Sequence, residues 1–105
     1  MKTFYTLRIG TADYKMRLTA SAIMAIEKRL GKSLFSALEN IQDNMVETIT
    51  TILWGAMQPF NANFAFEKAA GMFDDYIDEG KSIEDLMQEL NELFETSVFF
   101  KKGQE

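Results

Sequence analysis

A single stretch, Asn44 to Gln58 (NMVETITTILWGAMQ), does most to restrict what this chain can fold into. Met45, Ile49, Ile52, Leu53, Ala56 and Met57 recur at spacings of three and four, which places them on one side of a helix. Asn44 stands where an N-cap belongs, and Glu47 three residues on completes a capping-box pattern. Pro59 lacks an amide hydrogen and restricts the residue before it, so the helix is expected to stop at Gln58. A helix this apolar needs partners on its flanks and is expected to be the centre of the domain. Trp54, the only tryptophan, sits off the middle of the stripe beside Thr50, Thr51 and Gln58. It either seals the edge of the core or anchors a partner.

The segments on either side supply those partners. From Thr3 to Ile9 the chain alternates, with Tyr5, Leu7 and Ile9 on one side and Phe4, Thr6 and Arg8 on the other. Gly10-Thr11-Ala12-Asp13 offers turn chemistry, and Tyr14, Met16 and Leu18 then alternate with Lys15 and Arg17. That is a β-hairpin pattern. Two strands alone are marginal in water, so the hairpin must pack on helices or pair with another chain. Thr19 caps a helix expected over 20–30, with Ile23, Ile26 and Leu30 inward, Lys28 and Arg29 in its last turn and Gly31 as its C-terminal cap. A short helix is expected over 33–40.

Beyond Pro59, Asn63 or Asn61 is expected to cap a helix running to about Glu79, with Phe66, Ala69, Ala70, Phe73 and Ile77 as its stripe. Gly71 inside that helix costs about 1 kcal/mol relative to alanine, so a close helix approach is the expected reason for it. Gly80 ends the helix. Ser82 and Asp85 cap a last one, over about 83–96, whose core face is Ile83, Leu86, Met87, Leu90, Leu93 and Phe94. The expectation is a mainly α domain, a small bundle of four or five helices with an N-terminal β-hairpin. It forms a single domain over residues 1–105, with the hairpin in 1–18, the bundle in 19–97 and a tail in 98–105.

Candidates for chemistry are few. There is no cysteine and no histidine, so thiol chemistry and the commonest general base and metal ligand are missing. No phosphate-binding glycine motif or calcium-loop pattern occurs, and the serines have no base beside them. Asp74, Asp75, Asp78 and Glu79 crowd one helix end, with Asp74/Asp78 and Asp75/Glu79 each sharing a face. They read as a solvated acidic surface or, less simply, as a cation site or acid/base pair. Acids in a last turn oppose the helix dipole, which calls for a basic partner, either Arg8, Lys15 and Arg17 of the hairpin or another protein. Charge is divided along the chain: residues 1–34 hold seven cations against two acids, and the remainder four against fourteen. This argues against nucleic-acid binding by the whole chain and permits contact between copies or with a basic protein. The expectation is a cofactor-free, metal-free, non-enzymatic protein. No apolar run has the length of a membrane span, and the N-terminus does not read as a signal peptide. Val98, Phe99 and Phe100, ahead of two lysines, either fold back over the bundle or form a docking patch with Trp54 and Met57.

Taken together, these segments resemble the tail assembly chaperones of siphophages and prophages of Gram-positive bacteria. The likeness runs over nearly the whole chain. It is carried by Arg17-Leu18-Thr19 leading into Ile26-Glu27-Lys28-Arg29-Leu30-Gly31-Lys32-Ser33-Leu34, by Leu53-Trp54 to Pro59, and by the Ser97 to Lys102 end. These are packing and capping patterns, so no catalytic residue carries over. The resemblance implies a protein of the bacterial host cytoplasm that coats the tape measure protein, recruits tail tube protein and is absent from the mature virion. It also implies a longer product made by ribosomal slippage, for which Lys101-Lys102 marks an A-rich candidate site. Methionines at Met16, Met24, Met45, Met57, Met72 and Met87 fit either core filling or an adaptable groove. Homo-oligomerisation is compatible with the hairpin edges. A different class of function, a small acidic regulator that blocks a nucleic-acid-binding protein by charge mimicry, would use Asp74 to Glu79 with Glu84, Asp85, Glu89 and Glu92.

Overall fold

The computed structural model describes residues 3–97. Strands β1 (Tyr5–Ile9) and β2 (Ala12–Met16) form an antiparallel hairpin in which Ile9 faces Ala12, so the connection is the two-residue loop Gly10-Thr11. Gly10 has φ +62, the positive value that the first position of such a tight loop demands. Leu7, Ile9, Met16 and Leu18 are buried, and Arg8 and Lys15 point outward. The hairpin is laid on the helices, as a lone two-stranded sheet requires. The Arg17 amide donates to the Ala56 carbonyl at 2.9 Å, and β1 packs against the last two helices.

Helix α1 (Ala20–Leu30) begins and ends where its caps dictate. Thr19 accepts from the Ala22 amide, and Gly31 has φ +74 and returns its amide to the Glu27 carbonyl. Ala22 and Ile26 are its fully buried residues, with Ile23 and Leu30 half-buried against the core. Helix α2 (Leu34–Glu39) starts at Ser33, which caps the Ser36 amide, and a 3-10 turn (Ile41–Asp43) leads into α3 (Met45–Met57). Helices α4 (Phe66–Asp78) and α5 (Ile83–Glu95) follow. The chain is therefore mainly α with an N-terminal hairpin, and five α-helices lie among the described residues.

α3 is the centre, packed by α1, α4 and β2. Its burial exceeds one stripe. Thr48, Thr50 and Thr51 are buried together with Ile49, Ile52, Leu53, Gly55, Ala56 and Met57. Threonine enters such a core when its hydroxyl bonds back along the helix, as Thr51 does to the Glu47 carbonyl at 2.7 Å.

Three local expectations are corrected. Asn44 makes no side-chain cap, because it also closes the preceding 3-10 turn. Its ψ of 53 is far from the extended backbone that an N-cap uses. Neither Asn63 nor Asn61 caps α4, which begins after Ala65 without a side-chain cap. Asn63 instead takes φ +64 in the loop, and Asn61 turns back to donate to the Met57 carbonyl at the end of α3. The buried face of α4 is Ala69, Met72, Phe73 and Tyr76, so Ile77 lies on the flank rather than in the core. By contrast, the α5 capping box is complete: the Asp85 amide donates to Ser82 Oγ at 3.1 Å, and the Ser82 amide to Asp85 Oδ2 at 2.9 Å.

Candidate interaction surfaces

Trp54 is half-buried and already engaged by its own chain. Phe66, from the first turn of α4, meets it edge-on with ring centroids 6.2 Å apart. Arg29, at the end of α1, places its guanidinium 3.7 Å from the Phe66 centroid and 5.1 Å from that of Trp54. Gln58 closes the same corner, its amide nitrogen donating to the carbonyls of Trp54 and Phe64. This is a sealed edge of the core joining α1, α3 and α4. Met57, grouped with Trp54 as a candidate contact, is buried and belongs to the core. Met16 and Met72 are buried as well, Met45 and Met87 are half-buried, and Met24 stands well out in solvent. Val98, Phe99 and Phe100 lie outside the described residues.

The acidic helix end is where the sequence puts it. Asp74, Asp75 and Asp78 are exposed, and none of them forms an ion pair among the described residues. Glu79 pairs with Lys81 at 3.2 Å and lies beside the hairpin tip, where a Cβ added to Gly10 would come 3.1 Å from its Oε2. The hairpin cations do not neutralise this end. Arg8 is held by its cross-strand neighbour Asp13 at 3.1 Å, and the Lys15 ammonium stands over the rings of Phe4 and Phe60 at 4.6 and 5.2 Å. No group of three or more acidic side chains among the described residues is arranged to hold a metal ion.

A further cluster is not legible in the sequence. Glu89 on α5 accepts hydrogen bonds from two tyrosines, Tyr5 of β1 on Oε1 and Tyr76 of α4 on Oε2, the latter at 3.1 Å. Burial pushes the Tyr5 phenol well above its usual range, with the hydrogen bond to Glu89 and that carboxylate's charge adding to it. Tyr76 is raised likewise, first by burial and then by the charge of Glu89 and the hydrogen bond to it. Lys81 lies over the Tyr76 ring at 4.9 Å. A shallow groove lined by Tyr76, Lys81, Asp85, Gln88, Glu89 and Glu92 opens beside the cluster. Both hydroxyls are held protonated and aimed at one carboxylate, so the arrangement ties the hairpin to α4 and α5.

The remaining surface of note runs from α2 through the 3-10 turn into α3. Phe35 and Val46 are 63% and 61% exposed, and Leu38, Ile41 and Met45 between them are half-buried against the core. The acids Glu39, Asp43 and Glu47 punctuate this path, and no lysine or arginine occurs between Lys32 and Lys68. No helix among the described residues is long and apolar enough to cross a membrane.

A family described as one of unknown function, DUF6096, matches residues 1–105, and the chain belongs to that family. Neither the curated proteins nor the solved structures contain a significant match.

Proposed function

We propose that this member of the family is a non-catalytic tail assembly chaperone, which binds the tape measure protein and recruits tail tube subunits in the host cytoplasm. The observation that carries this reading is the apolar path from Phe35 to Val46. It is anchored from beneath by half-buried Leu38, Ile41 and Met45, and the charged residues within it, Glu39 and Asp43, are acids. A long helical client presents apolar side chains every three or four residues, and a surface of this kind covers such a stripe. The carboxylates around it keep the coated client dispersed.

The test is co-expression with the tape measure protein of the same genome. The expected result is that the two co-purify, that the tape measure protein stays soluble, and that Val46→Asp lowers its capture at least tenfold. A tape measure protein that aggregates equally with and without this chain would overturn the assignment.

The charge-mimicry regulator draws on a different observation, the exposed Asp74, Asp75 and Asp78, which form no ion pair among the described residues. Neutralising these three with Glu79 separates the two readings. Loss of partner capture there, with Val46→Asp silent, would favour the regulator.

A further inference from the structure

We infer that the outward face of α4 is a docking surface for the outward face of α1 in a second copy of this chain. The inference is independent of the chaperone reading and begins with Gly71. This glycine sits inside α4, where it costs about 1 kcal/mol relative to alanine. Its backbone does not require glycine, because positive φ among the described glycines is confined to Gly10, Gly31 and Gly80. Its packing does not require it either, since a Cβ built there meets nothing within 4 Å. What a bare helix surface permits is close approach by another helix, and none of the described helices makes that approach.

The residues around Gly71 describe what would approach. α4 buries Ala69, Met72, Phe73 and Tyr76, so Glu67, Gly71, Asp74, Asp75 and Asp78 line the opposite side at spacings of three and four. The exposed Lys68 stands at the N-terminal flank, and the aspartates make the C-terminal half wholly acidic. Ile77 flanks them and is 37% exposed. The aspartates lie toward the C-terminal end of the helix, where the dipole disfavours anions, and form no ion pair among the described residues. The face asks for a helix with an apolar side chain and cations one turn apart.

α1 presents that pattern. Met24 is two positions from the buried Ile26, about 200° around the helix, and is 68% exposed. Lys28 is one turn further along, and Lys32 follows just beyond the Gly31 cap. Both lysines are exposed and form no ion pair among the described residues. Met24 with Lys28 and Lys32 thus complements Ile77 with Asp74 and Asp78 in both polarity and charge. The two faces belong to different helices of one chain, so the contact is head-to-tail. Each copy uses one face and offers the other, and assembly proceeds to a ring or an open filament.

Sedimentation velocity over a range of protein concentrations tests this, at about 50 mM and about 500 mM salt, since screening weakens exposed charge pairs. The expected result is a weight-average mass that rises with concentration at low salt and falls toward one chain at high salt. Lys28→Glu with Lys32→Glu, and separately Asp74→Lys with Asp78→Lys, are each expected to weaken association at least tenfold. An equimolar mixture of the two variants restores it, in complexes containing equal amounts of each. Gly71→Leu, which adds bulk where the single chain has room, is expected to abolish association with an unchanged far-ultraviolet circular dichroism spectrum. Wild type that sediments as one chain at every concentration overturns the inference. So does association that survives both charge reversals, or a mixture that fails to re-associate.

Discussion

Gly55 of α3 is pressed so closely against Ile26 of α1 that it has no room for a side chain: a Cβ there would come 2.3 Å from Ile26 Cγ1 and 3.3 Å from the Ala22 carbonyl oxygen. Ile26 is fully buried and has nowhere to retreat. The close helix approach in this molecule is therefore at Gly55, whereas the sequence places it at Gly71.

Opposite responses to the same substitution follow. Gly55→Ala gains about 1 kcal/mol of helix propensity but incurs overpacking of about 1–3 kcal/mol, so a net loss of stability is expected. Gly71→Ala meets no neighbour and is expected to stabilise a single chain by up to about 1 kcal/mol. Urea unfolding at high salt measures both, as shifts in midpoint at constant slope. If Gly55→Ala proved the more stable of the two, the packing account of the α1–α3 contact would be wrong.

Where a boundary depends on neighbours in sequence, the sequence shows it. Thr19, Gly31, Gly80 and Ser82 act within a turn of themselves: the first two bound α1, Gly80 follows the end of α4 and Ser82 opens α5. The hairpin is equally local, since alternation and a glycine set its register. What escapes is decided by distant residues. The pattern in α4 fits two helical phases about one residue apart, one burying Ile77 and one burying Tyr76. The second wins, and its phenol reaches Glu89 on the next helix. Tyr5 and Glu89 are 84 positions apart, and no local signal links them. Asn44 fails as a cap because the 3-10 turn before it takes over its backbone. The half-burial of Trp54 is consistent with its off-stripe position, but the Arg29 that covers it belongs to another helix.

The Ser82–Asp85 box predicts a dependence on acid. The Asp85 carboxyl is held below the usual range by its hydrogen bonds to the backbone and side chain of Ser82, with Lys81 adding to them. A depressed folded value means that the contribution is present above the unfolded pKa of about 4 and is lost as pH falls through the folded value. Ser82→Ala is expected to cost about 1 kcal/mol at pH 7. The stability difference between wild type and Asp85→Asn should shrink as pH is lowered below about 4, as read from urea midpoints. A gap that stayed constant to pH 2 would show that the box does not act through the charge of Asp85.

The two tyrosines predict the opposite limb. Their folded pKa values are raised, so the stability that they contribute is complete below the unfolded value of about 10 and declines as pH rises toward the folded ones. Phenolate absorbance should therefore show Tyr5 and Tyr76 resisting ionisation until the fold gives way. Glu89→Ala leaves both hydroxyls without their acceptor and is expected to cost about 1–3 kcal/mol. It should also bring the alkaline unfolding midpoint down. Ordinary titration of Tyr5 and Tyr76 in the folded protein would remove the clamp.

The single tryptophan reports on the α1–α3–α4 corner. Arg29 lies against both Phe66 and Trp54, an arrangement worth about 0.5–2 kcal/mol, and its aliphatic stem covers ring surface as well. Arg29→Ala removes the charge and the cover together. It is expected to destabilise the chain by about 1–2 kcal/mol, to shift Trp54 emission to the red and to increase acrylamide quenching. Arg29→Met keeps much of the cover without the charge. It should recover the emission maximum while regaining only part of the stability. If Arg29→Met matched wild type in both, the guanidinium would be acting as cover alone, and the cation–π contribution at this corner would be nil.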